Sequence, residues 1–381
     1  MGHAYVDRHL PPGCSAATVT PTVTLATHIV DTDMRALNFR APKCAVGLAA
    51  GMALLYPLFL RSAYGSVHLL ESSGSRANSI GLILAYIAAL ALAFSVPIVA
   101  ALSARRLARL PVAIANSGRW LRLSHLAFAA PPLYTAIGVL TYVAGVGDLD
   151  FAVWILVWGM ILILAVYSPS KTASNQIRPV RNRLKIFHGI AALTVLMTFV
   201  IAHHANHVLA LWTPELHGRV MKTLEVFYRQ ELVEPLLIVV MILLIATGLS
   251  MAWRYTAASQ DGFRTLQTLT GIYLAVFITS HLTAVFVMAR WLEHIRTDWA
   301  FASGAPIGLI KDPWNVRLIP HYAIGVWAVV THVGLGARGV IHAHSGSVRA
   351  GDLTAVVMTG LGAILSALIT VALLGVHLGA S

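Results

Sequence analysis

Residues 266–290 read LQTLTGIYLAVFITSHLTAVFVMAR, an apolar run with one histidine, His281, in its interior. A helix needs about 20 apolar residues to cross a bilayer, so this run predicts a transmembrane helix. A titratable ring at that depth is unfavourable unless a partner satisfies it, so an intramembrane histidine is a hypothesis for a functional site. The same pattern recurs in two other runs: His203, His204 and His207 lie in 186–212, and His332 lies in 318–341.

The composition is that of a membrane protein. The chain is 57% hydrophobic and 11% charged, whereas soluble domains carry about 25% charged residues. The net charge of +12 does not indicate nucleic acid, because the basic residues fall in loops between the apolar runs, as membrane orientation requires. Cys14 and Cys44 are the two cysteines and form no Cys-x-x-Cys-His motif, which argues against covalently attached haem.

The apolar runs predict an all-α integral membrane fold with about nine transmembrane helices. The predicted spans are 44–63, 79–102, 123–145, 151–168, 186–212, 233–253, 266–290, 318–341 and 355–378. With the N-terminus inside, the inside segments hold 18 of the 27 basic residues, so the positive-inside rule predicts a cytoplasmic N-terminus.

Four parts of the chain are expected from this pattern. Residues 1–43 contain no apolar core beside a basic start, so we expect a cytoplasmic, partly disordered tail, with a cleaved targeting segment as the alternative. Residues 44–168 form a four-span region, and 169–185 form a polar, basic cytoplasmic linker with helix-breaking residues. Residues 186–381 form a five-span bundle that holds nearly all the deep histidines.

The depths of the histidines predict which of them can meet. At 1.5 Å per residue, His203 lies roughly 25 Å and His281 roughly 22 Å from the inside start of their spans, so both reach the outer half. The eighth span runs the other way, and His332 lies roughly 21 Å from its outer start, in the inner half. Position alone therefore predicts an outer site between His203 and His281, and haem iron bound by two neutral imidazoles is the favoured occupant.

Several alternatives remain open for the histidines. A single histidine on an apolar helix is more often an interhelical hydrogen-bond partner than a ligand. His207 is four residues from His203 and is an alternative ligand, whereas His204 lies off that face. The remaining histidines near the membrane edges favour solvated or headgroup-facing roles, namely His188, His321, His342, His344 and His377.

Residues 183–381 resemble the five-helix, dihaem cytochrome b membrane anchor of succinate:quinone and fumarate reductases. The seventh span carries Leu-Gln-Thr-Leu-Thr-Gly at 266–271, ten residues before His281. The eighth carries Ile-Gly-Val at 324–326 before His332, and the fifth carries Phe-Val-Ile-Ala before His203. The resemblance implies haem b held by His203 and His281, quinone as electron partner, flavoprotein and iron–sulfur subunits, and a bacterial inner membrane.

One position departs from the resembled family. Leu244 stands where the second helix of that family supplies a histidine to pair with the equivalent of His332 around an inner haem. One haem therefore follows from the residues, and a second requires another ligand, for which His125 and His188 are candidates. Arg338, at the inner end of the eighth span, is a candidate partner for a haem propionate, with a positive-inside anchor as the alternative.

A second resemblance covers the same spans. His203-His-Ala-Asn-His207 is similar to a stretch in the membrane anchors of some bacterial class III adenylyl cyclases.

From the resemblance to the cytochrome b anchors, we expect an electron-transfer subunit that has no dehydrogenase activity of its own. The alternatives are a sensor or assembly subunit, with or without haem, and a transporter. The transporter is disfavoured because no paired acidic residues lie in the spans.

Overall fold

The computed structural model describes residues 23–72, 76–110, 117–167 and 180–379, and these residues form helices without any strand. The contacts divide the chain into two units, Met1–Ala41 and Pro42–Ser381. The regions 44–168 and 186–381, which we expected as separate parts, therefore belong to one unit. Most of the predicted linker 169–185 and the first 22 residues of the predicted tail lie outside the described residues.

The described residues contain thirteen α-helices. Five precede the linker: α1 Val23–Ser72, α2 Arg76–Ala108, α3 Ser117–Phe128, α4 Ala130–Val143 and α5 Asp150–Tyr167. Eight follow it: α6 Asn182–Val195, α7 Ile201–Leu209, α8 Pro214–Tyr228, α9 Val233–Tyr255, α10 Gly262–Leu282, α11 Trp299–Ser303, α12 Leu318–Ser345 and α13 Val348–Leu373. The α1 helix begins at Val23, within the tail expected over residues 1–43.

The chain is an all-α integral membrane protein. Among the described residues, eight helices are long and apolar enough to cross a membrane, and a bent pair would make a ninth. The first of these helices, Lys43–Ser72, corresponds to the predicted span 44–63. The other seven correspond in order to the predicted spans that begin at 79, 151, 186, 233, 266, 318 and 355.

The third predicted span, 123–145, is not one straight helix. It consists of α3 and α4, which meet at Ala129 with a bend of 68°. Pro131 and Pro132 follow the bend directly. Proline has no N–H to donate, and its ring disfavours helical geometry in the residue before it, so the preceding helix ends there. Prediction from apolar length alone missed this break.

The two halves of the chain meet where the end of α2 and the start of α3 contact the turn between α9 and α10. We call this side of the molecule, which includes Arg122, the arginine-rich end. Here the backbone N–H of Gln260 donates to the Ala108 carbonyl at 2.8 Å. Arg122 donates to the Thr256 hydroxyl at 2.9 Å and to the Trp253 carbonyl at 3.0 Å. The end of α2 and the start of α3 are therefore fastened to the turn between α9 and α10.

At the opposite end the halves share a buried ion pair. Nη2 of Arg317, just before α12, lies 2.6 Å from Oδ2 of Asp150 at the start of α5, and the two side chains are 6% and 9% exposed. The guanidinium lies 4.4 Å from the Tyr134 ring centroid, and Nε donates to the Trp314 carbonyl at 2.9 Å. Nη1 packs on Gly138, where a Cβ would overlap it. The four-span region therefore encloses a charge that the five-span bundle supplies.

Replacing Arg317 should destabilise the whole unit. Arg317→Met leaves the Asp150 carboxylate buried without a counter-charge, and breaking a buried pair in this way lowers stability by about 3–5 kcal/mol. The measurement is the unfolding midpoint of the detergent-purified protein. Lys311→Met is the control, because its pair with Glu71 is exposed and surface pairs contribute little. Equal shifts in the two variants would contradict the proposed importance of the buried pair.

Candidate functional site: a buried histidine cluster

The two helices that carry the outer histidines both contain π-helical segments. Leu196–Val200 joins α6 to α7 as a π-helix and ends three residues before His203. Thr283–Leu292 continues α10 as a π-helix and begins two residues after His281. π-Helical segments are rare and are often found at functional sites. The local backbone is therefore unusual at both histidines that the depth argument paired.

His203 and His281 lie side by side. Their ring centroids are 6.3 Å apart, with an angle of 69° between the ring planes. His203 also contacts His207 on the next turn of its own helix, with Nε2 to Nε2 at 3.3 Å. One of these two nitrogens must carry the proton that the other accepts, so the pair shares a single hydrogen.

Two short helices outside the spans close the cluster. The α8 helix begins with Pro214, and the hydroxyl of its capping residue Thr213 accepts from the Leu216 N–H at 3.0 Å. This helix places His217, 2% exposed, against His207 at 5.3 Å between ring centroids. Trp299 of α11 covers His217 at 4.9 Å. His217 was not predicted from the sequence, because it lies outside the apolar runs, in a segment whose fold-back no apolar run indicates.

A phenylalanine connects a fifth histidine to the cluster. The Phe277 ring stacks on His281 at 5.9 Å and contacts His321 at 4.5 Å. His321 is 2% exposed, so the expectation of a solvated position at the membrane edge is wrong. The residue lies near the start of α12, but the Phe277 ring packs against it, and the Tyr273 hydroxyl donates to the His321 carbonyl at 3.0 Å.

Three ring nitrogens of this cluster are buried without a hydrogen-bond partner among the described residues: Nδ1 of His207, Nδ1 of His217 and Nδ1 of His321. The side-chain oxygen of Asn206 is also buried without a hydrogen-bond partner among the described residues. Buried polar atoms are nearly always paired, and each exception calls for an explanation, such as a bound ligand or ion. The cluster therefore has the donor set of a site for a ligand that imidazole can bind.

His332 lies apart from this cluster, in a second arrangement. Its Nδ1 lies 3.1 Å from the Thr270 hydroxyl, and that hydroxyl donates to the Leu266 carbonyl at 2.9 Å. The Thr270 hydroxyl has one proton, which it can donate either to the Leu266 carbonyl or to Nδ1 of His332, so the direction of this contact depends on the tautomer of His332.

His188 repeats this arrangement on α6. Its Nδ1 lies 2.8 Å from the Thr247 hydroxyl, which donates to the Leu243 carbonyl at 2.7 Å. Gly248 and Gly271 lie against the two rings, and a Cβ on either would approach a ring carbon within 3.3 Å and 3.0 Å. We call His188 and His332 the inner pair: in each, Nδ1 lies within hydrogen-bond distance of a threonine hydroxyl, and a hydrogen bond at one ring nitrogen orients the ring in metal-ligating histidines.

The other predicted residues have partners of their own. Arg338 donates from Nε to Asp352 at 2.6 Å, and its guanidinium lies 4.3 Å from the Phe263 ring. Nδ1 of His204 lies 2.9 Å from the Val200 carbonyl. His125 is fully buried, with Nδ1 2.7 Å from the Leu121 carbonyl.

No family model, characterised protein or solved structure matches the chain. In the part of the chain that the structure describes, no three His, Cys, Asp or Glu side chains come together in an arrangement that could hold a metal ion.

Gly325 should be intolerant of any side chain. A Cβ at this position of α12 would overlap the Phe277 ring between His281 and His321. We expect Gly325→Ala to lower stability by about 1–3 kcal/mol through overpacking. Gly336→Ala is the matched control on the same helix, with nothing within 4 Å. It should raise stability by up to about 1 kcal/mol through helix propensity. Unfolding midpoints check both, and a stabilised Gly325→Ala would contradict the packing.

His217 should make stability depend on pH. Burial lowers the pKa of His217 to about 4, whereas an unfolded histidine has a pKa of about 6.5. As the pH falls from about 6.5 to about 4, His217 takes up a proton in the unfolded state but not in the folded state. The free energy of unfolding therefore decreases through this pH range, and the contribution of His217 is fully present only above it. Unfolding midpoints between pH 7.5 and 4.5 should fall less for His217→Gln than for the wild type. His294→Gln, an exposed histidine, is the control, and identical slopes in all three proteins would refute the assignment.

Proposed function

We propose that this protein is an integral-membrane b-type cytochrome that holds haem between His203 and His281. The observation that carries the proposal is the 6.3 Å separation of the two ring centroids. A metal that two imidazole nitrogens bind at about 2.0–2.1 Å each holds their ring centroids roughly 6 Å apart. The two side chains need little displacement to reach that separation on either side of one iron.

The donor chemistry also supports haem. Neutral imidazole is a common haem ligand, and two of them saturate the iron, which suits electron transfer better than oxygen chemistry. Nε2 of His203 must release its hydrogen bond to His207 before it can ligate. The flanking π-helical segment gives this helix a place to adjust its register. His207 remains the alternative ligand on that helix.

Two spans of the five-span bundle are the least covered by the rest of the protein. In the spans Asn182–Leu209 and Val233–Tyr255, 11% and 6% of the residues of the most apolar stretch are buried, the lowest shares among the candidate spans. His203, His281 and His332 are each only partly buried, although they lie well inside their spans. A porphyrin between these helices would cover such surfaces. The pair His188 and His332 is the candidate for a second haem, in which His188 takes the place that Leu244 cannot fill.

The position in the cell and the partners follow from the same proposal. Under this proposal the arginine-rich end and the N-terminus face the cytoplasm, as the positive-inside rule favours, and the membrane is the bacterial inner membrane that the resemblance implies. Haem supplies a one-electron carrier within the bilayer. Quinone and a flavoprotein or iron–sulfur subunit are the partners that the resemblance implies.

The second candidate function is a sensor or assembly subunit that does not transfer electrons. Leu244 favours it, because a complete electron path across the membrane needs two centres, and the four extra spans offer a surface for other proteins. Co-purification distinguishes the two functions: flavoprotein or iron–sulfur partners indicate the cytochrome, and other partners indicate the sensor.

The first test is a reduced-minus-oxidised absorption spectrum with a pyridine haemochrome count. We expect a low-spin b-type spectrum from the wild type, and we expect the outer haem to be lost from His281→Ala because its axial ligand is gone. Parallel His203→Ala and His207→Ala variants identify the second ligand. His344→Ala, at an exposed position, is the control and should keep its haem. Full haem content in His281→Ala would exclude the outer site.

A further inference from the structure

A large cavity lies between the four-span region and the five-span bundle. Its volume is about 720 Å³, within the roughly 300–1,000 Å³ of known ligand sites. One wall is α2, from Phe94 to Arg105, and the other is formed by the first two turns of α10 together with Ile324 and Trp327 of α12. None of the histidines discussed above lines it.

The cavity is amphipathic along its length. Its walls are mostly apolar side chains, and Arg105 is the charged residue among those that line it. Arg105 lies near the end of α2, at the arginine-rich end, whereas Phe94 and Trp327 lie well inside their helices. A fitting ligand therefore has a long apolar part and an anionic group at one end.

The cavity opens sideways to lipid. Ile98 and Leu102, which line it, are 59% and 55% exposed. An acyl chain can therefore enter from the bilayer without crossing the protein. Arg105 is itself exposed and pairs with no carboxylate of the described residues, so its charge is available to a headgroup at the mouth.

The charges around the mouth favour an anionic headgroup. Arg106 and Arg109 continue the basic end of α2 beyond Arg105. Basic pockets between transmembrane helices on the cytoplasmic side bind anionic lipid headgroups, and each Arg near such a surface contributes a measurable attraction. A zwitterionic headgroup has no net charge for this cluster to attract.

We propose that this cavity binds one anionic phospholipid, with an acyl chain along Phe94, Ala101 and Trp327 and the phosphate at Arg105. The bound lipid fills the gap between the four-span region and the five-span bundle. This site is separate from the histidine cluster, and the proposal stands whether or not the protein binds haem.

The test uses the full-length protein, delipidated in detergent and then titrated with phosphatidylglycerol or phosphatidylcholine of identical acyl chains. Native mass spectrometry counts the bound lipids. The wild type should retain one phosphatidylglycerol with roughly fivefold or greater preference over phosphatidylcholine, the factor expected for one arginine at an anionic headgroup. Arg105→Gln should lose this preference. Arg349→Gln, an exposed arginine on α13 that does not line the cavity, should keep it.

A second variant tests the apolar part. Ala101→Phe fills the cavity and should abolish retention of both lipids. If Ala101→Phe does not fold, phosphatidylglycerol with brominated acyl chains is used to probe the native cavity instead. This lipid should quench the tryptophan fluorescence of the wild type more than that of Trp327→Phe, because Trp327 lines the cavity.

Three results would overturn the proposal. The first is equal retention of the two lipids by the wild type. The second is unchanged binding in a folded Ala101→Phe variant, or equal quenching with and without Trp327. The third is one-for-one displacement of phosphatidylglycerol by a short-chain quinone whose affinity does not depend on Arg105, which would make the cavity a quinone site.

Discussion

The hydrocarbon core of a bilayer supplies no hydrogen-bond partners, so every polar group within the spans must be satisfied by the protein or by something the protein binds. Many hydroxyls in this chain meet that constraint by donating to a carbonyl of their own helix, as Thr247 and Thr279 do. The imidazoles cannot all do so, because a ring has two nitrogens and only one of them reaches such a carbonyl or hydroxyl. The second nitrogen decides what a buried histidine can do.

The inner and outer histidines meet this constraint in different ways. In the inner pair, Nδ1 of His188 and Nδ1 of His332 each lie against a threonine hydroxyl of a neighbouring helix, which orients both rings. In the outer cluster, His203 and His207 share one hydrogen, and nitrogens of His207 and His217 have no partner among the described residues. The outer cluster is therefore held less by hydrogen bonds and more by the packing of aromatic rings.

The four N-terminal spans are part of the same structural unit as the histidine-bearing bundle. Trp154 donates to the Ala53 carbonyl at 3.0 Å, and its ring packs against Tyr56 and Tyr134. Arg317 from the bundle then lies over Tyr134. The resemblance to cytochrome b anchors covers only the bundle, yet the charge of Arg317 is neutralised by Asp150 of the four-span region. The bundle in this protein therefore depends on the additional spans for its stability.

The sequence by itself determined the all-α membrane fold, the order of the spans and the shared depth of His203 and His281, because apolar length and helical rise are local properties of the chain. It did not determine the bend at Ala129, because hydropathy does not register the missing N–H groups of Pro131 and Pro132. The burial of His217 and His321 was decided only by the tertiary structure, in which a folded-back loop and the ring of Phe277 cover them. The contact of His332 with the Thr270 hydroxyl was decided in the same way, because that hydroxyl belongs to another helix.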